Sequence, residues 1–65
     1  MSKLATSELV GRRVRLIHTT DEHTKLHYGC LGTINFVDDF GTLHVKWDNG
    51  SSLGLIPGED RWQIL

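Results

Sequence analysis

Cysteine and proline are scarce in this chain of 65 residues, which contains one of each, Cys30 and Pro57. A single cysteine excludes an internal disulfide and any zinc site built from several cysteines, and it is typical of the reducing cytoplasm. Long hydrophobic runs are also missing, because none approaches the ~20 apolar residues of a membrane-spanning helix. Residues 1–7 lack the apolar stretch of a signal peptide. We therefore predict a cytoplasmic protein with no membrane contact.

A large excess of charge is absent as well, since seven Lys and Arg residues face eight Asp and Glu residues and the net charge is −1. This balance argues against a protein that coats nucleic acid or an anionic membrane through positive charge alone. Hydrophobic residues make up 38% of the chain, which is enough for a globular core and too much for a disordered tail. At this length we expect one domain over residues 10–65, preceded by an N-terminal arm over residues 1–9.

Alternation of apolar and polar residues is the main structural signal. It predicts five strands, over residues 10–18, 31–37, 42–48, 51–56 and 61–65. The third strand has the clearest pattern, with Leu43, Val45 and Trp47 pointing to the core. A β-bulge is expected in the second strand, because the order Ile-Asn-Phe-Val at residues 34–37 breaks strict alternation. A long polar loop, residues 19–30, separates the first two strands.

Three turn signals join the later strands. Residues 38–41 (Asp-Asp-Phe-Gly) form a four-residue turn, and Asn49-Gly50 is typical of a two-residue type I′ hairpin. Residues 57–60 begin with proline and suit one 3₁₀ turn before the last strand. The pattern predicts an all-β fold, a small five-stranded SH3-like barrel. An OB-type barrel is disfavoured, because it usually needs a longer chain and a helix between its third and fourth strands.

Several motifs resemble those of a known family. They are Gly11-x-Arg13-Val14-Arg15-Leu16-Ile17, Gly32-Thr33-Ile34, Val37-Asp38-Asp39-x-Gly41, the run His44-Val45-Lys46-Trp47-Asp48-Asn49-Gly50-Ser51-Ser52-Leu53, and Pro57-Gly58-x-Asp60. Together they resemble a family of short bacterial proteins from phages and integrative conjugative elements, classed as a domain of unknown function. A more distant similarity is to the SH3-like Mind-bomb/Herc2 domain, a peptide-binding module. The resemblance implies a phage or mobile-element setting and brings no catalytic residue with it.

Histidines in and near the long loop raise the question of a metal site. His18, His23 and His27, with Asp21 or Cys30, offer zinc ligands, but no motif such as Cys-x-x-Cys or His-Glu-x-x-His frames them. We therefore expect ordinary loop and strand residues, with no metal and no other cofactor.

Cys30 is also a candidate nucleophile, with His27 or His44 as its base. Its position beside two glycines at the start of a strand instead favours a small buried thiol. A chain this short also seldom encloses the ~300 Å³ of a small-molecule site. We therefore predict that the protein is not an enzyme.

Aromatic and charged residues in the loops and hairpins indicate a binding function, because large aromatics and arginine are the usual anchors of protein interfaces. We predict a non-enzymatic module that contacts a protein partner through the 19–30 loop and the neighbouring hairpins. The resemblance to the phage and conjugative-element family implies a host defence component as such a partner. The predicted contact residues are Tyr28, Phe40 and Trp62, with Asp21, Glu22 and Arg13 as a polar rim.

Two alternative functions stay open. In the first, Arg13, Arg15 and Lys46 act with a stacked aromatic to bind nucleic acid, as some small barrels do. In the second, a homo-oligomer forms through the edge strands of the sheet. Salt separates the first alternative from a protein partner, because affinity for nucleic acid falls steeply as salt rises.

Overall fold

The computed structural model describes residues 8–21 and 24–65. Residues 1–7 of the predicted arm lie outside the described residues, as do the predicted contact residue Glu22 and the candidate ligand His23. Five strands follow one another: β1 (Arg13–His18), β2 (Leu31–Val37), β3 (Leu43–Trp47), β4 (Gly54–Leu55) and β5 (Arg61–Ile64). The described residues contain no helix, and so none of the length and apolarity needed to cross a membrane. The all-β prediction is confirmed.

All five strands belong to one antiparallel sheet, in the order β4-β3-β2-β1-β5. The chain meanders from β1 to β4, and β5 then returns to pair with the free side of β1. Two cross-strand pairs fix the register at the centre, because Thr33 lies opposite Arg13 on one side and opposite Lys46 on the other. This order is consistent with a small barrel-like fold.

β1 begins at Arg13, so the prediction of a strand over residues 10–18 placed its start too early. Residues 8–11 form a turn instead, because Gly11 has a φ of +88°, in the left-handed region that favours glycine. Val10 is exposed in this turn. The chain therefore enters the sheet through a bend.

β2 spans the predicted residues 31–37 and carries the expected β-bulge. Its register against β3 shifts between Ile34 and Phe36. Ile34 is buried in the core, whereas Phe36 lies opposite His44 and is 52% exposed. The bulge therefore turns an aromatic residue toward the side of the sheet that faces away from the core, which we call the outer face.

The turn between β3 and β4 is not the predicted type I′ hairpin, which requires a positive φ at both central residues. Among the described residues every positive φ belongs to a glycine, so Asn49 does not adopt that conformation. The Oδ1 of Asn49 instead accepts the N–H of Ser51 over 2.9 Å. Gly50, with a φ of +91°, reverses the chain and donates its N–H to the carbonyl of Trp47 over 3.0 Å. The loop matches a type I turn followed by a left-handed glycine.

The turn between β2 and β3 has the same design, and the predicted four-residue turn is confirmed. The N–H of Gly41 donates to the carbonyl of Asp38 over 3.0 Å, and the N–H of Asp38 donates to the carbonyl of Thr42 over 3.1 Å. Gly41 again has a positive φ, of +85°. Two such turns place Asp39-Phe40-Gly41 and Asp48-Asn49-Gly50 at opposite ends of β3.

β4 comprises Gly54–Leu55 alone, which is shorter than the predicted residues 51–56. The preceding residues bond to Trp47 rather than extending the strand. The backbone N–H of Trp47 donates to the carbonyl of Ser51 over 3.3 Å, and its indole Nε1 donates to the carbonyl of Leu53 over 2.9 Å. Satisfying the buried indole therefore shortens β4.

The turn at residues 57–60 contains the i→i+3 hydrogen bond of the expected 3₁₀ turn, because the N–H of Glu59 donates to the carbonyl of Ile56 over 3.0 Å. The same carbonyl accepts the N–H of Asp60 over 2.9 Å. Among the described residues, Asp60 is the buried charged side chain. Its Oδ2 accepts the N–H of Ile56 over 2.8 Å, and its Oδ1 accepts the N–H of Thr20 over 3.3 Å. Asp60 thus ties the long loop to this turn.

The core lies on the inner side of the sheet. Its buried side chains are Val14, Leu16, Leu26, Ile34, Leu43, Val45, Trp47 and Leu55. The predicted inward direction of the alternate residues in the third strand is confirmed. Gly32 makes room for this packing, since a β-carbon there would lie 2.6 Å from Val45 Cγ1 and 2.9 Å from Trp47 Cε3.

Candidate functional site

The predicted aromatic contact residues are divided between the two ends of the sheet. Tyr28 precedes Gly29, whose N–H donates to the carbonyl of Leu16 near the end of β1, whereas Phe40 lies in the turn that follows β2. Both rings are exposed, 69% for Tyr28 and 91% for Phe40. The seven residues of β2 separate them by about 20 Å, at ~3.3 Å per residue. The two aromatics therefore do not form one compact patch.

Two other predicted contact residues are engaged within the domain. Trp62 lies opposite Leu16 and packs half-buried against the core. Arg13 is held by Asp48, with Nη1 donating to Oδ1 over 3.0 Å and Nη2 donating to Oδ2 over 2.6 Å. Asp21 is exposed in the loop after β1. The predicted polar rim is thus not gathered around the aromatic residues.

The Arg13–Asp48 pair crosses the outer face of β2. Arg13 Nη1 also donates to the Oγ1 of Thr33 over 2.9 Å, and the N–H of Asp48 donates to the carbonyl of Leu31 over 2.9 Å. The side-chain hydrogen bonds between the two partners raise the pKa of Arg13 and lower the pKa of Asp48. Because the side chains are 43% and 55% exposed, water screens the pair.

A stacked pair of rings on the outer face was not predicted from the sequence. Phe36 and His44 are cross-strand neighbours whose rings lie parallel, with centroids 4.3 Å apart and 7° between their planes. His44 points outward because it alternates with the inward residues Leu43 and Val45. The expected bulge was the available signal, because a shift of register after Ile34 places Phe36 on the same face as His44.

Asp38 joins the Phe36–His44 stack to the neighbouring turn. Its Oδ2 lies 2.9 Å from the Nε2 of His44, while its Oδ1 accepts the N–H of Phe40 over 2.9 Å and that of Thr42 over 3.0 Å. The bond to His44 is the main cause that lowers the pKa of Asp38, and the two backbone N–H groups act in the same direction. One carboxylate therefore orders both the stack and the turn that carries Phe40.

Acid is expected to lower the melting temperature as the pH falls below about 4, because Asp38 and Asp48 have folded-state pKa values below the ordinary 3.8. A depressed carboxyl pKa stabilises the folded chain above the unfolded pKa, and this stabilisation is lost as the pH falls through the folded value. Thermal unfolding from neutral to strongly acid pH measures the effect. On acidification, the melting temperature of the double variant Asp38→Asn/Asp48→Asn should fall by less than that of Asp39→Asn. An equal fall would contradict the assignment of the acid effect to Asp38 and Asp48.

The basic residues of the nucleic-acid alternative share the outer face. Arg13 and Lys46 both lie opposite Thr33, so they form a row across β1, β2 and β3. Arg15 occupies the next outward position along β1, where its Nη1 donates to the Oε1 of Gln63 over 3.2 Å. The register of the sheet thus brings the three predicted cations onto one surface.

The long loop holds the candidate metal and nucleophile residues. Within the described ranges, no group of three or more His, Cys, Asp and Glu side chains is placed to hold an ion. The Nδ1 of His27 lies 3.0 Å from the carbonyl oxygen of Tyr28. Cys30 is half-buried and packs against the core, while His18 is exposed at the end of β1. The described side chains of the loop are thus separated rather than gathered around one point.

The sequence as a whole matches a known family model, described as Domain of unknown function (DUF4314), over residues 2–65. The chain belongs to this family. The DUF4314 match covers all five strands and extends beyond the quoted motifs, which lie between residues 11 and 60. No curated protein and no solved structure gives a significant match. Membership of DUF4314 thus assigns the chain to a domain family but does not identify a ligand.

Proposed function

We propose that this domain is a non-enzymatic binding module that contacts a protein partner, mainly through the turn between β2 and β3. The observation that carries the proposal is the 91% exposure of Phe40 at the tip of this turn. A phenyl ring held in water contributes little to the stability of a monomer. In an interface the same ring can fill a pocket on the partner, where aromatic residues are common anchors.

The turn fixes the backbone of Phe40 before a partner binds. Its backbone N–H donates to Asp38, which is itself held by His44. Gly41 closes the turn through its bond to the Asp38 carbonyl. An anchor whose backbone is ordered in advance loses less conformational entropy on binding, so it supports higher affinity for the same contact area.

Further exposed apolar groups accompany this anchor. Ile56 is 43% exposed, and Pro57 lies close to the turn, since a β-carbon placed on Gly41 would be 3.7 Å from Pro57 Cγ. Exposed carboxylates, Asp39 and Glu59, lie in the same two turns. This chemistry favours a partner with an apolar pocket that is rimmed by lysine or arginine.

The 19–30 loop is proposed as a second contact, through Tyr28 at the opposite end of β2. An interface that buries about 800 Å² per partner is broad enough to reach two aromatics that lie about 20 Å apart. We also propose a cytoplasmic setting in a phage or mobile element, with a host defence component as the partner. The motif resemblance supports that setting, and the order of the strands supports an SH3-like barrel.

Replacing Phe40 with alanine is expected to weaken binding of the partner by about 1–2 kcal/mol, which raises the dissociation constant roughly 5- to 30-fold. The physical reason is the loss of an aromatic ring, carried on an ordered turn, from a desolvated pocket on the partner. The measurement is calorimetric titration of the protein that the wild-type domain captures from a host lysate.

Tyr28→Ala is the matched variant, since it removes the other strongly exposed aromatic. Melting temperatures of both variants should equal that of the wild type, because neither ring is buried. Full affinity in Phe40→Ala together with loss in Tyr28→Ala would move the contact to the loop and contradict the proposed surface.

A further inference from the structure

Charge on the folded domain is more segregated than the sequence indicates. Basic side chains of three strands lie on the outer face, at Arg13, Arg15, Lys46 and Arg61. The carboxylates beside them are Asp48, which pairs with Arg13, and Asp38, which faces His44. The remaining described acids lie in the loops and turns or, like Asp60, are buried. The outer face is therefore net positive on a chain whose net charge is −1.

The Phe36–His44 stack stands beside this basic surface. Lys46 occupies the next outward position along β3 from His44, about 7 Å away at ~3.3 Å per residue. Phe36 is 52% exposed and stacks on His44 through one ring face only. A planar ligand can therefore extend the stack while a negative group that it carries reaches the lysine.

We infer that the outer face of β1, β2 and β3 binds single-stranded nucleic acid, with a base stacked on the Phe36–His44 pair and phosphates over Lys46 and Arg15. Stacking platforms beside a basic track are the usual means of holding single strands without sequence preference. A duplex is a poorer ligand, because its bases already stack on each other. This function is separate from the proposed protein contact, which uses the turn that carries Phe40.

Asp48 limits this surface. Its two-point bond to Arg13 neutralises the central cation of the face. Lys46, by contrast, makes no side-chain hydrogen bond or ion pair with a residue in 8–21 or 24–65, and Arg15 is bonded to the neutral Gln63. A phosphate therefore meets Lys46 and Arg15 first and competes with Asp48 for Arg13.

The test is fluorescence anisotropy with a labelled oligothymidylate of about 15 nucleotides, titrated at about 50 mM and about 200 mM salt. Lys46→Gln is expected to weaken binding at least threefold at the lower salt and to reduce the salt slope by about 0.7. Lys25→Gln makes the same change of charge in the long loop and should have a smaller effect. Equal effects of the two variants would overturn the assignment to the outer face.

The stack is tested by Phe36→Leu, which keeps an apolar side chain and removes the aromatic face. We expect this substitution to weaken binding of the oligothymidylate about fivefold or more. It should leave the much weaker binding of an abasic deoxyribose-phosphate oligomer unchanged. Equal wild-type affinity for the abasic oligomer, for a duplex or for a polyglutamate peptide would overturn the inference.

Asp48→Asn provides a test of opposite sign. Releasing Arg13 should strengthen oligothymidylate binding about threefold, beyond the gain from Asp39→Asn, which adds the same charge in a turn. Circular dichroism confirms that each variant is folded at the titration temperature. A gain no larger than that of Asp39→Asn would show that Arg13 takes no part, and absence of binding by the folded wild type would refute the site.

Discussion

Replacing Gly32 with alanine is expected to lower the free energy of unfolding by about 3 kcal/mol, at the upper end of the range for overpacking a core. The new β-carbon would lie 2.6 Å from Val45 Cγ1, 2.9 Å from Trp47 Cε3 and 3.0 Å from the carbonyl oxygen of Lys46. Two of these three atoms cannot withdraw easily, because the indole is fully buried and the carbonyl is backbone. Urea unfolding followed by tryptophan fluorescence measures the change.

A second glycine separates this clash from the general cost of losing glycine. Gly50 has a φ of +91° and open space around its α-carbon, so Gly50→Ala adds backbone strain and no clash. It should cost only about 1 kcal/mol. In addition, Gly32→Ala combined with Val45→Ala should destabilise by less than the sum of the two single changes, because the nearest obstacle is then removed. Additive effects would mean that the core accommodates the methyl group by another route.

Local patterns in the sequence were sufficient to predict the structure where it depends on the residues of one strand alone. The limits of β2, its bulge and the inward residues of β3 all follow from alternation within a single segment. The start of β1 does not follow from alternation, since Gly11 is compatible with a strand and its positive φ is set by the surrounding chain. The prediction of a type I′ turn at Asn49-Gly50 was wrong for a similar reason, because the bonds of Trp47 to the returning chain favour a longer loop.

The candidate surfaces depend on which strands become neighbours, and the sequence holds that information only indirectly. Lys46 and Arg13 share a row because β2 lies between their strands. The net charge did not predict this row of cations, since it carries no information about where the charges lie. Trp62 was predicted as a contact residue from its type, and the pairing of β5 with β1 places it half-buried against the core.

Asp60 is the residue whose role the sequence most understated, because an acidic residue after Pro-Gly-Glu is typical of a solvated turn. In the folded domain it is 7% exposed and accepts two backbone N–H groups, from Thr20 and from Ile56. Thr20 lies in the loop between β1 and β2, and Ile56 lies between β4 and β5. The carboxylate therefore joins the β1–β2 loop to the segment that leads from β4 into β5.

Replacing Asp60 with alanine is accordingly expected to destabilise the domain by about 3 kcal/mol, since hydrogen bonds to a charged acceptor contribute roughly 1.5–3 kcal/mol each and the exposed partners recover part of the loss from water. Glu59→Ala is the matched control, because it removes an exposed carboxylate from the same turn and should change stability by less than about 0.5 kcal/mol. Urea unfolding gives the global effect. Amide hydrogen exchange gives the local one, and the N–H groups of Thr20 and Ile56 should exchange faster in Asp60→Ala than in Glu59→Ala even where the domain stays folded. Equal exchange in the two variants would mean that water satisfies these groups as well as the carboxylate does, and that the loop is held by the packing of Leu26 and Cys30 and by its backbone bonds to Leu16.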